Sequence, residues 1–420
     1  MKFNQKILVV AIAAALPWVG AHAQSNADLL RQIEALKAQL EALTAKVEAV
    51  SRQSGAVNPQ EFNRLVQKVD LAEESSIASG FRGLKFKGVI EATYLNDRNS
   101  VATGFNMALG NGGYGAAFFE VSKESEDSVG WTLRLMPLSE TANAATGFLN
   151  TVHEASISVP IGDGGTKLIA GLVPDFSGYE YSAGNQNPLV TNNLMYANAA
   201  SNYTGVGMSY VINKSWTAKW MVAQVDGIAS RKAPGFVYRA DYSASEYSGV
   251  GFSGVHFRTN ATAAGGNADL MEIDAYHTRG DLTLQGQFSV GRLIAGGLDG
   301  SGGDAKWWGL SGLAGYKLTP RLQALVRADY INNRKNGGGL YFHPFGAAGA
   351  ELDSTGVALD PSKGANLYAL SAGFNYSVNP TTQWKTELRF DRATGYNFID
   401  SNGVGRKGNT TIGTSVVVSF

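Results

Sequence analysis

From Leu84 to the end of the chain, apolar residues recur at every second position in run after run. The clearest pair of runs spans 367–391, LYALSAGFNYSVNPTTQWKTELRFD. Tyr368, Leu370, Ala372, Phe374, Tyr376 and Val378 share one face of a predicted strand; Ala369, Ser371, Gly373, Asn375 and Ser377 share the other. After a tight turn at Asn379-Pro380, Trp384, Thr386, Leu388 and Phe390 lie on one face, and Lys385, Glu387, Arg389 and Asp391 on the other. A water-soluble sheet buries its aromatic face. A membrane barrel turns that face to lipid and its charged face to a watery lumen. The same reading predicts about sixteen strands, near 84–95, 114–123, 129–136, 151–159, 166–173, 204–212, 216–225, 236–244, 249–258, 269–278, 281–292, 306–317, 321–330, 366–377, 383–393 and 410–420. An even number suits a bacterial membrane barrel. The predicted fold is therefore all-β, a transmembrane antiparallel β-barrel over 81–420.

The connections sharpen this. Asn213-Lys214, Arg279-Gly280, Thr319-Pro320 and Asn379-Pro380 are short turns, whereas 176–202, 332–365 and 394–409 are long and rich in Gly, Asn, Ser and Asp. Short and long alternate, as in barrels whose turns face the periplasm and whose loops face outward. Three hairpins carry aromatics at matching offsets from the short turn: Tyr210 and Trp216, Tyr316, and Tyr376 and Trp384. That clustering fits an aromatic girdle at one membrane interface.

Before the barrel the period changes. Lys2, Lys6, the apolar run 7–16 and Ala21-His22-Ala23 before Gln24 have the form of a secretory signal peptide, expected to be removed between Ala23 and Gln24. Leu29, Ile33, Leu36, Leu40, Leu43, Val47 and Val50 step alternately by four and three, the seam of a coiled coil within 24–56. From Asp28 to Ser51 the helix is ~36 Å long and short enough to need a second oligomer contact. Residues 57–80 then read as a short helix, N-capped by Asn58, and a linker.

Composition excludes more than it selects. The chain has 420 residues, 35 basic and 35 acidic, and no cysteine. A balanced charge gives no footprint for nucleic acid, and zero cysteine removes disulfides and thiolate metal sites. His153, His256, His277 and His343 lack metal-ligand spacing, so no metal and no cofactor are expected. His153 lies near Ser156 in sequence, which alone makes no dyad, and no enzyme activity is expected.

The last strand carries Ile412, Thr414, Val416, Val418 and the terminal Phe420 on one face. A closing strand of this kind resembles the assembly signal of Gram-negative outer-membrane porins. With the signal peptide and the seam, the chain is similar to trimeric porins with a periplasmic N-terminal coiled coil, the DcaP type and phosphate-selective porins. The resemblance implies a homotrimer in outer-membrane lipid, with the coiled coil in the periplasm. It also implies passive diffusion of small hydrophilic solutes. The alternative is a structural barrel or adhesin, tethered by the coiled coil to peptidoglycan or a periplasmic partner.

The resemblance further implies that the third long connection, 174–203, folds into the lumen as a constriction. It holds Asp175 and Glu180 and no lysine or arginine; Tyr179, Tyr181, Asn185, Asn187 and Asn192 supply neutral hydrogen-bonding groups. By alternation, Lys85, Lys87, Glu91, Arg134, Lys219, Arg239, Arg327, Glu387 and Arg389 line the wall. An acidic loop against a basic wall makes a transverse field; the basic set leans toward anionic solutes such as carboxylates, but Glu91 and Glu387 share those faces and the mixture leaves anion against cation preference open.

Overall fold

In the computed structural model of the protein, the described residues are 83–99, 104–106, 116–124, 128–136, 152–162, 165–200, 202–225, 234–258, 267–296, 303–333 and 349–420. The signal peptide, the coiled-coil seam and the short helix lie outside them. Sixteen strands close into an antiparallel barrel: β1 Leu84–Asp97, β2 Ala116–Lys123, β3 Gly130–Leu135, β4 Val152–Pro160, β5 Lys167–Pro174, β6 Asn202–Val211, β7 Trp216–Val225, β8 Gly235–Ser245, β9 Ser248–Arg258, β10 Asn267–Arg279, β11 Leu282–Leu293, β12 Ala305–Thr319, β13 Leu322–Asn332, β14 Leu367–Asn379, β15 Thr382–Ala393 and β16 Gly408–Ser419. Each strand pairs with its chain neighbours, and β16 returns to β1. A short strand, Gly104–Asn106, also pairs with β1. Closure leaves no unpaired edge, which a sheet in hydrocarbon requires.

The turns are built by their side chains. Asn213 Oδ1 accepts from the backbone N–H groups of Ser215 and Trp216 at 2.9 and 3.0 Å. Asn379 Oδ1 accepts from Thr381 N–H at 2.9 Å, and Thr319 Oγ1 from Leu322 N–H at 3.0 Å. Gly280 adopts a φ of 60°, which a Cβ would disfavour. The barrel closes beside Phe420, whose backbone exchanges bonds of 2.7 and 2.9 Å with Gly88. A Cβ at Gly88 would collide with the Phe420 ring, so the missing side chain makes room for the terminal aromatic.

The alternation has the inside-out sense. On β13 Val326 is 50 % exposed while Arg327 is fully buried; on β15 Phe390 is 48 % exposed and Arg389 only 4 %. Leu388 and Val418 are exposed on the outer surface, and Phe374 leans on Trp384 with ring centroids 5.4 Å apart. Around the barrel, Ile90, Phe119, Ile157, Val222, Ile273, Leu310 and Leu370 continue this apolar exterior. An exposed apolar surface of that extent fits lipid and is far too large for a water-soluble monomer.

Tyr316 and Trp384 are exposed near the short turns, and Trp216 stacks obliquely on Tyr242 at 4.9 Å. A second aromatic belt lies toward the long connections. Trp308, Tyr330 and Tyr368 form a chain with centroid spacings of 5.2 and 4.9 Å. Trp308 precedes Tyr316 by eight residues on β12, which at ordinary strand rise and tilt separates the belts by ~21 Å.

The interior is not uniformly polar. Toward the long connections the inward positions are apolar: Met221, Ala223 and Val225 on β7, Val255 and Phe257 on β9, Leu270 on β10, Trp307 on β12 and Leu367 on β14. Leu194, Met195 and Ala200 join this cluster from the connection between β5 and β6. Part of the space expected to hold water is thus a packed core.

Candidate functional site

The long connection, described from Asp175 to Ala200, lies inside the barrel. Its first residues, Phe176 and Gly178, meet Lys219 and Arg239 on β7 and β8, and its later contacts run over β11 to β16 and β1. Its centre is Thr191-Asn192, held by three strand residues. Arg327 donates from Nη1 to the Thr191 carbonyl at 2.6 Å and from Nη2 to the Asn192 carbonyl at 2.9 Å. Arg389 donates to that same Asn192 carbonyl at 2.6 Å. Glu387 accepts from Thr191 N–H at 2.6 Å and from Thr191 Oγ1 at 2.8 Å.

Strand alternation explains the convergence. Arg327, Glu387 and Arg389 stand on the inward face of β13 and β15, which flank β14. β14 presents only Ser371 and Gly373 between them. A Cβ at Gly373 would press on the Thr386 carbonyl and on Leu189, so the small residue lets the connection approach the wall. Arg327 is further satisfied by Glu180 at 2.9 Å and Asp329 at 3.1 Å, with Glu387 at 3.6 Å. Buried charge is tolerable only when compensated this fully.

The flanks are fixed too. Lys385 donates to the carbonyls of Gly184 and Asn187 at 2.6 and 2.7 Å, while Glu91, 3.9 Å from its ammonium, bonds Ser415. Tyr179 and Ser311 share a hydroxyl–hydroxyl bond of 2.6 Å. Burial and the neighbouring Glu180 push the Tyr179 phenol above its ordinary range. Asp175 accepts from Ser177 and Tyr203, yet burial dominates and raises its carboxyl.

The opposite side is open. A cavity of about 610 Å³ separates the first part of the connection from the wall of β3, β4, β7, β8 and β10. Arg134, Glu154, Lys219, Arg239, Asp241 and Asp274 face it from the wall, and Phe176, Tyr179 and Tyr181 from the connection. Arg134 is committed to Glu120 at 2.5 Å and lies 3.9 Å from Glu154. Arg239 is bidentate to Asp274 at 2.7 and 2.8 Å, bonds Asp241 at 2.7 Å and donates to the Phe176 carbonyl at 3.1 Å. Lys219 differs: its ammonium sits 4.2 Å from the Phe176 ring centroid. Among the described residues it forms no hydrogen bond or ion pair.

Apart from Asn185, the lumen residues expected from sequence fall into three groups. Asp175, Tyr179, Glu180, Asn187 and Asn192 join Glu91, Arg327, Glu387 and Arg389 in or beside the anchoring contacts. Arg134, Lys219, Arg239 and Tyr181 face the cavity, where Tyr181 is 52 % exposed. Lys85 and Lys87 stand apart at the short-turn mouth, exposed, near Glu124 and Glu120. Asn185 Oδ1 is buried without a hydrogen bond. Glu180 meets Arg327 directly instead of facing basic residues across open space. Alternation places Lys385 inside, on the charged face expected for it with Glu387 and Arg389, and it also places Glu272 and Asp274 there, which the same rule could find but which were not singled out. Thr191, the hub, carries no sequence signal. Ser156 Oγ donates to Glu154 at 2.8 Å. Among the described residues, no three metal-ligating side chains gather.

A closed sixteen-stranded barrel with an apolar exterior and an internal loop has the architecture of a porin-like outer-membrane channel. The chain belongs to such a family: residues 83–420 match the one described as "Putative beta-barrel porin-2, OmpL-like". No curated protein matches. Among solved structures, the chain is similar to the anion-selective porin from Comamonas acidovorans, with TM-score 0.56 and 11% identity over 80% of this chain and 99% of that one. It is also similar to the outer membrane channel DcaP of Acinetobacter baumannii, with TM-score 0.53 and 8% identity over 80% and 97%. OmpT, an outer membrane protein of Vibrio cholerae, gives TM-score 0.52 and 11% identity over 80% and 97%. At these identities the likeness is one of fold.

Proposed function

We propose that this protein is a passive diffusion channel for small hydrophilic solutes, constricted by the internal loop between β5 and β6. The observation that carries this reading is the asymmetry of the interior: the loop is held to one wall and leaves a cavity of about 610 Å³ against the other. The resulting function is selection by size and charge, not chemistry on the solute. The basic residues give little support to an anion preference, because Arg134, Arg239 and Arg327 each face at least two carboxylates. We read the lumen as weakly cation-preferring or neutral. The unit in the membrane is a homotrimer, with residues 24–56 forming a periplasmic coiled coil.

Planar-bilayer recordings of the purified full chain test this. Stepwise conductance grouped in threes is expected, with a reversal potential near zero or on the cation side under a KCl gradient. A silent bilayer with folded protein would refute the channel. Removing residues 24–56 should leave single-step conductance intact while loosening the trimer. A full chain that does not conduct, and that loses its attachment in the cell when 24–56 are removed, would favour the tether instead.

A further inference from the structure

The charges around the cavity do not suit an ion of either sign alone. Lys219 is the one wall cation among the described residues that faces the cavity without a carboxylate in ion-pair contact. Beside it, Asp241 is 39 % exposed and uses only Oδ1, towards Arg239 Nε at 2.7 Å. Glu154 and Asp175 lie near enough to act on the same ammonium. A lone anion docking on Lys219 meets these carboxylates; a lone cation docking on Asp241 meets Lys219 and Arg239. A solute carrying both signs satisfies both groups, and each of its charges offsets the like-charge opposition the other meets.

The remaining surface fits the body of such a solute. Tyr181 and Tyr276 expose 52 % and 39 % of their surface, and both border the same cavity. Their rings can cover a short carbon chain while their hydroxyls stay hydrated. The Phe176 ring fixes the position of the Lys219 ammonium without neutralising it, since a ring face is a weaker partner than a carboxylate.

We propose that this cavity binds zwitterionic solutes, amino-acid-like molecules whose carboxylate meets Lys219 and whose ammonium meets Asp241. The proposal rests on the channel reading above and names the solute class for that site.

The test is block of KCl current through the full-length protein by glycine, β-alanine and γ-aminobutyrate, set against propionate and propylamine at equal concentration. A zwitterion carries no net current, so its occupancy appears as a saturable loss of conductance. At least one zwitterion is expected to block about tenfold more strongly than either single-charge compound. Lys219→Gln and Asp241→Asn should each weaken that block about tenfold. Folding of each variant is checked by heat-shifted migration in electrophoresis. If Lys219→Gln fails to fold, Asp241→Asn decides alone. Propionate blocking as well as β-alanine, or block persisting in the folded variants, overturns the proposal. Conductance without selective block defeats only this inference; absence of conductance defeats the channel reading as well.

Discussion

The two sides of the barrel interior use the same side chains to opposite ends. On β13 and β15, Arg327, Glu387 and Arg389 commit their hydrogen bonds to the loop, at Glu180, Thr191 and Asn192, and to the neighbouring Asp329 and Asp391, and all are buried. On β7 and β8, Lys219 and Asp241 keep part of their bonding capacity and face the cavity. Charge on an inward strand position therefore does not by itself mark a solute contact. What marks it is charge left over after the loop has been anchored.

The largest expected effect comes from breaking the anchored side. Arg327→Met leaves Glu180, Asp329 and Glu387 buried around an uncharged side chain. Removing one partner of a buried ionic network costs about 3–5 kcal/mol. The variant should lose its heat-shifted electrophoretic form at a clearly lower temperature, and its bilayer current should turn noisy as the loop detaches. Unchanged melting and quiet steps would show that the loop stands without this residue.

Thr191→Val is the next step down. It keeps the shape and backbone bonds but removes the hydroxyl that donates to Glu387 and accepts from Arg327 and Arg389. Leaving such buried groups under-bonded costs about 1–3 kcal/mol. Melting should fall by less than in Arg327→Met, and a double variant should lose less than the sum, because the two residues share partners.

These two residues also show what a reader of the sequence could see. Arg327 was legible because β13 alternates cleanly, and a one-residue slip would put an arginine into lipid. All sixteen strands were legible for that reason. Thr191 was not, because a loop has no period to reveal which residue meets the wall. Met221-Val222-Ala223 is a different case. Apolar residues on both faces of a strand signal burial on both sides, so an outer belt and an inner core read alike. The belt containing Trp308, Tyr330 and Tyr368 was overlooked because its members lie far from the turns that drew attention to Tyr316 and Trp384.

On the open side, Lys219→Gln should move the reversal potential under a KCl gradient toward potassium. Replacing Arg134 or Arg239 by glutamine would also free their paired carboxylates and disturb the packing, so Lys219 tests the field more cleanly. Melting should change little, since Lys219 holds no hydrogen bond among the described residues. An unmoved reversal potential would mean that the field at this point is set by other groups.

The smallest effect concerns Asp175, where the loop leaves β5. Burial raises its carboxyl above the ordinary value of 3.8, against the opposing pull of Ser177, Tyr203 and Lys219. A carboxyl raised in the folded state binds a proton more tightly there than in the detached loop. Its contribution is then complete at low pH and is lost as pH climbs through the raised value. Docking at this end of the loop should therefore tighten on acidification, opposite to the usual behaviour of a salt-bridged aspartate. Asp175→Asn mimics the protonated form: it should flatten the pH dependence of open-channel noise across the acidic range and leave neutral-pH melting equal or slightly higher. Noise that still rises with pH in the variant would assign the dependence to another group than Asp175.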